Sequence, residues 1–121
     1  MIRENMDILP TAFSSKKRLG FDDKISGAGL EKKIDCFLTL LVRDLKVNNC
    51  KLIGHVKGFA DAHDNGHLMF SITGFDEKVR FKGKLLQEIA GIEFTINIIV
   101  YGIELLSVER VFEKAYENFF G

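Results

Sequence analysis

The residues best suited to metal or proton-transfer chemistry are crowded into one short stretch. All three histidines lie between positions 55 and 67, and two of them flank a turn-like Asp-Asn-Gly sequence at 64–66. Imidazole and carboxylate groups bind zinc and other transition metals. The spacing matches no established ligand signature, however, and a polar turn accounts for Asp, Asn and Gly without a metal. The sequence favours an ordinary hairpin and leaves one alternative open, a metal-binding protein or metal-dependent enzyme that uses His55, Asp61, His63 and His67.

Other catalytic patterns are missing from the sequence. Cys36 and Cys50 form no CxxC pair, and neither has a motif partner that would lower its pKa. There is no GxSxG elbow, P-loop or HExxH sequence. Gly27-Ala28-Gly29 matches only half of a dinucleotide fingerprint, because Lys32 occupies the place of the third glycine. The sequence therefore leans against an enzyme, and it identifies neither a catalytic residue nor a cofactor.

Two amphipathic helices are predicted to position these residues. From Leu30 to about Leu45, apolar side chains recur every three or four residues, and Asn48-Asn49 ends the pattern. We expect Ser107 to cap the second helix. Its apolar stripe comprises Val108, Val111, Phe112, Ala115 and Phe119.

Between the helices the period of the apolar residues changes to two, which indicates β-strands. Four segments alternate in this way, at about 51–61, 67–73, 78–85 and 92–100. The short connections favour antiparallel pairing, because parallel strands need long crossovers. The sequence thus predicts an α+β two-layer sandwich, a four-stranded antiparallel meander flanked by two helices in the order α-β-β-β-β-α.

The first 28 residues have a different composition. They mix a short apolar patch with the basic run Lys16-Lys17-Arg18 and several glycines. This mixture predicts a flexible or partly ordered N-terminal arm, with at most one short edge strand. Residues 29–121 are then a single α+β domain, since a chain of 121 residues buries one core without disulfides.

The predicted turns set a strand register and leave one sheet face open. The register places Asp61 opposite His67, Phe59 opposite Met69, Ser71 opposite Arg80, and Lys82 opposite Asn97. We call the open side the outer face. It carries His55, Lys57, Phe59, Met69, Lys78, Arg80, Lys82, Lys84, Ile99 and Tyr101, with Asp61 and Glu93 as its acids.

Basic side chains on this face suggest a binding surface for nucleic acid or another anion. Cations neutralise phosphates, and aromatic rings stack on bases. The candidate residues are Lys57, Lys78, Arg80, Lys82 and Lys84. The same alternation suits a solvated strand that discourages edge pairing, and no RNP-like motif is present, so nucleic acid is possible but not favoured.

Apolar side chains on the same face suggest a subunit contact. Ile53, Phe59, Met69, Ile99 and Tyr101 are costly to expose together. Burying them between two copies would form a homodimer, the commonest assembly.

Composition limits the compartment and the partners that we expect for this protein. The chain has 17 basic and 17 acidic residues, so no global charge draws it to nucleic acid or membrane. The first residues include Glu4 and Asp7 and no apolar run, so we expect no secretory leader, and no run reaches the ~20 apolar residues that a membrane span needs. We expect a cytoplasmic protein with two free thiols and no membrane partner.

The hypothesis that combines these expectations is a small cytoplasmic binding or assembly module. It is a non-catalytic homodimer that binds a protein or other macromolecule through its outer face or N-terminal arm. Anion binding by the basic residues and metal binding at the hairpin are the alternatives.

Overall fold

A computed structural model describes residues 9–121 as five strands and two helices. The strands are β1 (Pro10–Ser26), β2 (Leu52–Asp61), β3 (Gly66–Ile72), β4 (Arg80–Leu85) and β5 (Glu88–Tyr101). The helices are α1 (Gly27–Val47) and α2 (Leu105–Phe120). Neighbouring strands are antiparallel in the order β1-β5-β2-β3-β4. The predicted α+β class, with an antiparallel sheet and two helices, is confirmed.

The core lies between the helices and one face of the sheet. In β5 every second residue from Ile92 to Val100 is buried, which is the alternation expected of a half-covered strand. Phe37 of α1 meets Phe94 of β5 edge-on at 5.7 Å and Phe112 of α2 at 6.0 Å between ring centroids. Burial of each such ring contributes about 1.5–3 kcal/mol, so this aromatic cluster fixes both helices on the same side.

The sheet has a fifth strand that the sequence analysis assigned to an arm. β1 pairs with β5 along nearly its whole length, from Pro10 opposite Tyr101 to Ser26 opposite Glu88. Its inward positions include Lys17, whose Nζ lies 3.3 Å from Glu113 Oε1 and 4.9 Å from the centre of the Tyr116 ring on α2. The arm prediction is therefore wrong for residues 10–26, while residues 1–8 of the predicted arm lie outside the described residues.

The predicted four-stranded meander is also wrong in its last step. β5 inserts between β1 and β2 instead of pairing with β4, although only Leu86 and Gln87 separate it from β4. The Leu86 N–H donates to the Asn65 carbonyl at 2.8 Å, and the Gly27 N–H donates to the Gln87 carbonyl at 3.0 Å. These bonds carry the chain across the end of the sheet, beside the first turn of α1.

The helix termini differ from the sequence prediction in ways that local hydrogen bonding explains. α1 begins three residues before the predicted Leu30, because the Ser26 side chain caps it by accepting the Gly29 N–H at 3.0 Å. α2 begins at Leu105 after Glu104, so Ser107 lies inside the first turn and does not cap the helix. Among residues 9–121, neither helix combines the length and apolarity required to cross a membrane.

Candidate functional site on the outer face of the sheet

Side chains on the outer face, the side opposite both helices, form a regular grid. Three of the four predicted cross-strand pairs are confirmed; the fourth is wrong, because Lys82 lies opposite Met69, and Asn97 lies opposite Lys57 and Ser14. From β4 to β1 the rows read Lys84-His67-Asp61-Glu93-Arg18, Lys82-Met69-Phe59-Thr95-Lys16, and Arg80-Ser71-Lys57-Asn97-Ser14.

Four cations occupy the β4 side of this grid, and we call them the basic half: Lys57, Arg80, Lys82 and Lys84. All four side chains are exposed. Within residues 9–121 none of them forms an ion pair with a carboxylate. Alternate residues of a strand are about 6.6 Å apart, so the β4 cations lie along a line at the edge of the sheet.

A shallow depression lies within the basic half. Its volume is about 270 Å³, and it opens between β2, β3 and β4. Lys57, Arg80 and Lys82 surround it, while Met69 and Ser71 contribute to its lining. An apolar floor bordered by three cations suits a ligand that presents both negative charge and a flat apolar group.

The two acids of the outer face are already engaged by other groups. Glu93 lies 3.5 Å from Lys16 Nζ and 3.4 Å from Arg18 Nη2, both on β1. Asp61 accepts the backbone N–H of His63 at 2.9 Å. Glu93 therefore offsets the cations of β1, and neither acid forms an ion pair with a cation of the basic half.

Two aromatic rings lie beside the basic half. The rings of Phe59 on β2 and His67 on β3 stack, with centroids 5.5 Å apart and an interplanar angle of 20°. Gly83 on β4 allows the close approach of His67, because a β-carbon there would lie 2.6 Å from the His67 carbonyl oxygen and 3.3 Å from His67 Cδ2, and its φ of +102° disfavours other residues. The arrangement brings an aromatic stack next to the line of cations.

A second region, at the other end of the face, carries no formally charged side chain. We call it the charge-free strip: Pro10, Ala12, Leu52, Ile99 and Tyr101. Leu52 and Pro10 both lie opposite Tyr101, and Ala12 lies opposite Ile99. Its backbone also engages a buried thiol, since Cys50 Sγ lies 3.5 Å from the Leu52 carbonyl oxygen and 3.6 Å from that of Tyr101. Burial raises the pKa of Cys50 above its ordinary value of 9.0.

One predicted interface residue does not belong to the outer face. Ile53 is only 3% exposed and packs in the core. The reason is a β-bulge between Ile53 and His55, which shifts the alternation so that Ile53 and Val56 both point inward. Gly54 in the strand interior was the available signal. The other predicted interface residues, Phe59, Met69, Ile99 and Tyr101, lie on the outer face.

Lys78 is also separated from the basic residues with which it was grouped. It precedes β4 and lines, with Glu31 and Asp35 of α1, a cleft at the side of the sheet. β1 contributes two outer cations that the sequence analysis missed, Lys16 and Arg18, because their segment was assigned to an arm. The alternation of Phe13, Leu19, Phe21 and Ile25 was the signal for that strand.

The predicted histidine cluster is only partly assembled. His63 Nδ1 lies 3.8 Å from Asp61 Oδ2, and His63 Nε2 lies 4.0 Å from Glu93 Oε1. His67 lies opposite Asp61 but stacks on Phe59, and His55 lies farther along β2 beside Ile99. Among residues 9–121 no three histidine, cysteine or carboxylate side chains are grouped to hold a metal ion.

Both cysteines are free thiols, as predicted; Cys50 is buried and Cys36 is exposed. It is exposed on α1, in a cleft that also contains Arg43 and Phe119. On the helix side of the molecule, burial raises the pKa of Tyr116, and the nearby Glu113 carboxylate adds to this increase. Cys36 and Tyr116 both belong to helices and do not lie on the outer face.

Comparison with known proteins gives little further information. No family model and no curated protein matches the sequence. Among solved structures, Zn(II)-bound YjiA GTPase from E. coli is similar with a TM-score of 0.46 and 13% identity, and a Zn(II)-bound triple mutant of YjiA GTPase has a TM-score of 0.47 and 11% identity. Each match covers 91% of this chain and 30% of the other chain. Similarity at this level carries no argument about function.

Proposed function

We propose that this chain is a binding module that holds a polyanionic chain on the basic half of its outer face. The observation that carries the proposal is the charge arrangement of the sheet. Four exposed cations lie together on β2 and β4 without a carboxylate partner among residues 9–121, although the whole protein has no net formal charge. Local positive potential of this kind attracts and orients an anionic partner.

The linear order of the cations favours an extended polyanion over a single small anion. Arg80, Lys82 and Lys84 follow one strand at intervals of about 6.6 Å. A compact anion contacts one or two such side chains at a time, whereas a chain of phosphates laid along β4 contacts all three. Lys57, on the third row with Arg80, widens the track toward the centre of the sheet.

A direct test uses end-labelled inorganic polyphosphate and fluorescence anisotropy. We expect binding at low salt that weakens steeply as potassium chloride is added, because cations that bind phosphates release counterions. Lys82→Gln should weaken this binding. Lys114→Gln is the matched control, since Lys114 is an exposed lysine of α2 on the opposite side of the molecule.

Two results would contradict the proposal. One is that polyphosphate fails to bind even at low salt. The other is that Lys82→Gln and Lys114→Gln weaken binding equally, which would mean that the attraction is spread over the whole surface and that the basic half is not the site.

The charge-free strip favours a second candidate function, homodimer assembly. Leu52 is 54% exposed and lies beside Tyr101 in a region that a second copy can approach without like-charge repulsion. Tyr101→Glu should then convert a dimer into a monomer in light scattering, and Lys57→Glu should not. A wild-type monomer at high protein concentration would exclude this assembly.

A further inference from the structure

We infer that the polyanion is a single-stranded nucleic acid, with its phosphates along β4 and a base on the stacked rings of Phe59 and His67. This inference rests on the proposed function and adds the class of partner. Polyphosphate or an acidic peptide would use only the cations. The aromatic pair beside them is the feature that distinguishes a nucleic acid from these other polyanions.

The distances across the sheet fit one nucleotide. His67 lies on the strand next to β4, and Phe59 lies one strand farther. Neighbouring strands are separated by about 4.8 Å, so the two rings lie about 5–10 Å from the line of cations. A nucleotide spans a comparable distance from its phosphate to its base. A strand of nucleic acid laid along β4 therefore places its bases over β3 and β2.

The surface between the cations and the rings suits this orientation. Met69 lies opposite both Lys82 and Phe59, and it is 40% exposed. A thioether packs favourably against flat aromatic groups. Ser71 lies in the next row between Arg80 and Lys57 and adds a hydroxyl that can donate or accept a hydrogen bond. The depression of about 270 Å³ lies among these residues.

The aromatic stack favours a single strand over a duplex. Bases in a duplex are already stacked on one another, so a duplex presents mainly phosphates to a flat protein surface. An unpaired base has a free face that stacks on an aromatic side chain regardless of its sequence. We therefore expect little sequence preference, and a modest contribution from each base.

Four labelled probes separate the contributions of charge and stacking. They are a single-stranded oligonucleotide, the same backbone without bases, a duplex of equal length, and inorganic polyphosphate. We expect the base-bearing single strand to bind tightest. Its log-log dependence on salt should have a slope of about −2 to −3, since three or four cations each contribute about −0.7 for single strands.

The variant that isolates stacking is Phe59→Leu, which keeps an apolar side chain and removes the ring. We expect it to weaken binding of the base-bearing strand by about five- to hundredfold, the usual range for the loss of one stacked base. Its binding to polyphosphate and to the abasic strand should be unchanged, which also verifies its fold. His67→Ala, at an exposed position, provides a second variant with the same expected pattern.

Tyr101→Leu is the matched control, because Tyr101 is an aromatic residue of the same face within the charge-free strip. It should leave binding of all four probes unchanged. The inference is overturned if the abasic strand binds as tightly as the base-bearing one, or if Phe59→Leu and Tyr101→Leu act alike. Those outcomes leave polyphosphate binding intact, whereas failure of polyphosphate to bind overturns the proposed function itself.

Discussion

The basic half and the charge-free strip occupy the same sheet face but have opposite chemistry. Both are open because α1 and α2 pack on the other side of the sheet. In the basic half, three of the four cations surround a shallow depression. In the strip, apolar side chains such as Leu52 and Tyr101 lie in adjacent strands with no formal charge between them.

This contrast is the basis of the partner proposed for each region. Two basic halves repel each other, so that region selects an oppositely charged partner and opposes self-association. Two strips do not repel, and each loses exposed apolar surface on contact. The two proposed binding modes thus use different residues of one face, and each is open to separate disruption.

The largest expected effect separates the two sides of the sheet. Ile98→Asp should lower the free energy of unfolding by about 4 kcal/mol or more, because Ile98 is fully buried and an unpaired buried carboxylate is costly. Ile99→Asp, on the adjacent residue of the strip, should cost about 1 kcal/mol or less. Urea unfolding followed by circular dichroism measures both values. Equal losses would mean that the strip is not an open surface.

The next largest effect is the loss of polyphosphate binding when an exposed lysine is replaced on one edge strand of the sheet or on the other. Lys82→Glu should weaken polyphosphate binding by about tenfold or more, because it places a negative charge within an unpaired cationic line. Lys16→Glu should weaken it by about threefold or less, since Lys16 already lies 3.5 Å from Glu93 and far from β4. Anisotropy titrations at a fixed salt concentration make the comparison. A larger effect at Lys16 would move the binding region to β1.

The parts of this fold that the sequence predicted are those in which burial imposes a simple period. β5 alternates from Ile92 to Val100 because the core covers one side of it, and α1 repeats its apolar residues every three or four positions for the same reason. The basic half was predictable in part because Lys82 and Lys84 have the same parity along one strand. Two cross-strand pairs, Asp61 with His67 and Phe59 with Met69, followed from the turn at Asp64-Asn65-Gly66, and the pair of Ser71 with Arg80 followed from the turn between β3 and β4.

The predictions from sequence were wrong where a tertiary contact overrides the local pattern of apolar residues. Lys17 points inward because its ammonium group contacts Glu113 and Tyr116 of α2. The local sequence of β1 does not show these contacts, and it therefore predicted a charged arm. Ile53 points inward because of the bulge after it. The position of β5 beside β1 depends on the crossing at Leu86 and Gln87, which no local period encodes.

A smaller effect concerns the bulge that shapes the charge-free strip. A β-carbon on Gly54 would lie 2.9 Å from the Ile99 carbonyl oxygen and 3.2 Å from the Tyr101 ring. Gly54→Ala should therefore displace the strip and cost about 1–2 kcal/mol of stability. Thermal unfolding gives the stability, and the affinity for polyphosphate should remain unchanged. A loss of affinity would show that the two regions are mechanically coupled.

The smallest expected effect is on the rate at which Cys50, beside the charge-free strip, is labelled. In a Cys36→Ser background, iodoacetamide should react with Cys50 slowly in the folded protein and quickly in urea, because the thiol is 4% exposed and burial raises its pKa. The raised pKa also means that the native state keeps the thiol proton to a higher pH than the unfolded state does. The contribution of this group to stability is therefore present below the ordinary pKa of 9.0 and declines as the pH rises through the pKa of the folded protein.

Because Cys50 contacts the backbone of Leu52 and Tyr101, a second copy docked on the strip should slow its labelling further. The labelling rate should then fall as protein concentration rises, and Tyr101→Glu should abolish that dependence. If the rate is independent of concentration in both proteins, the strip does not mediate self-association, and only the basic half retains a proposed partner. Added polyphosphate provides the converse comparison: it should leave the rate unchanged, since the basic half lies at the other end of the face.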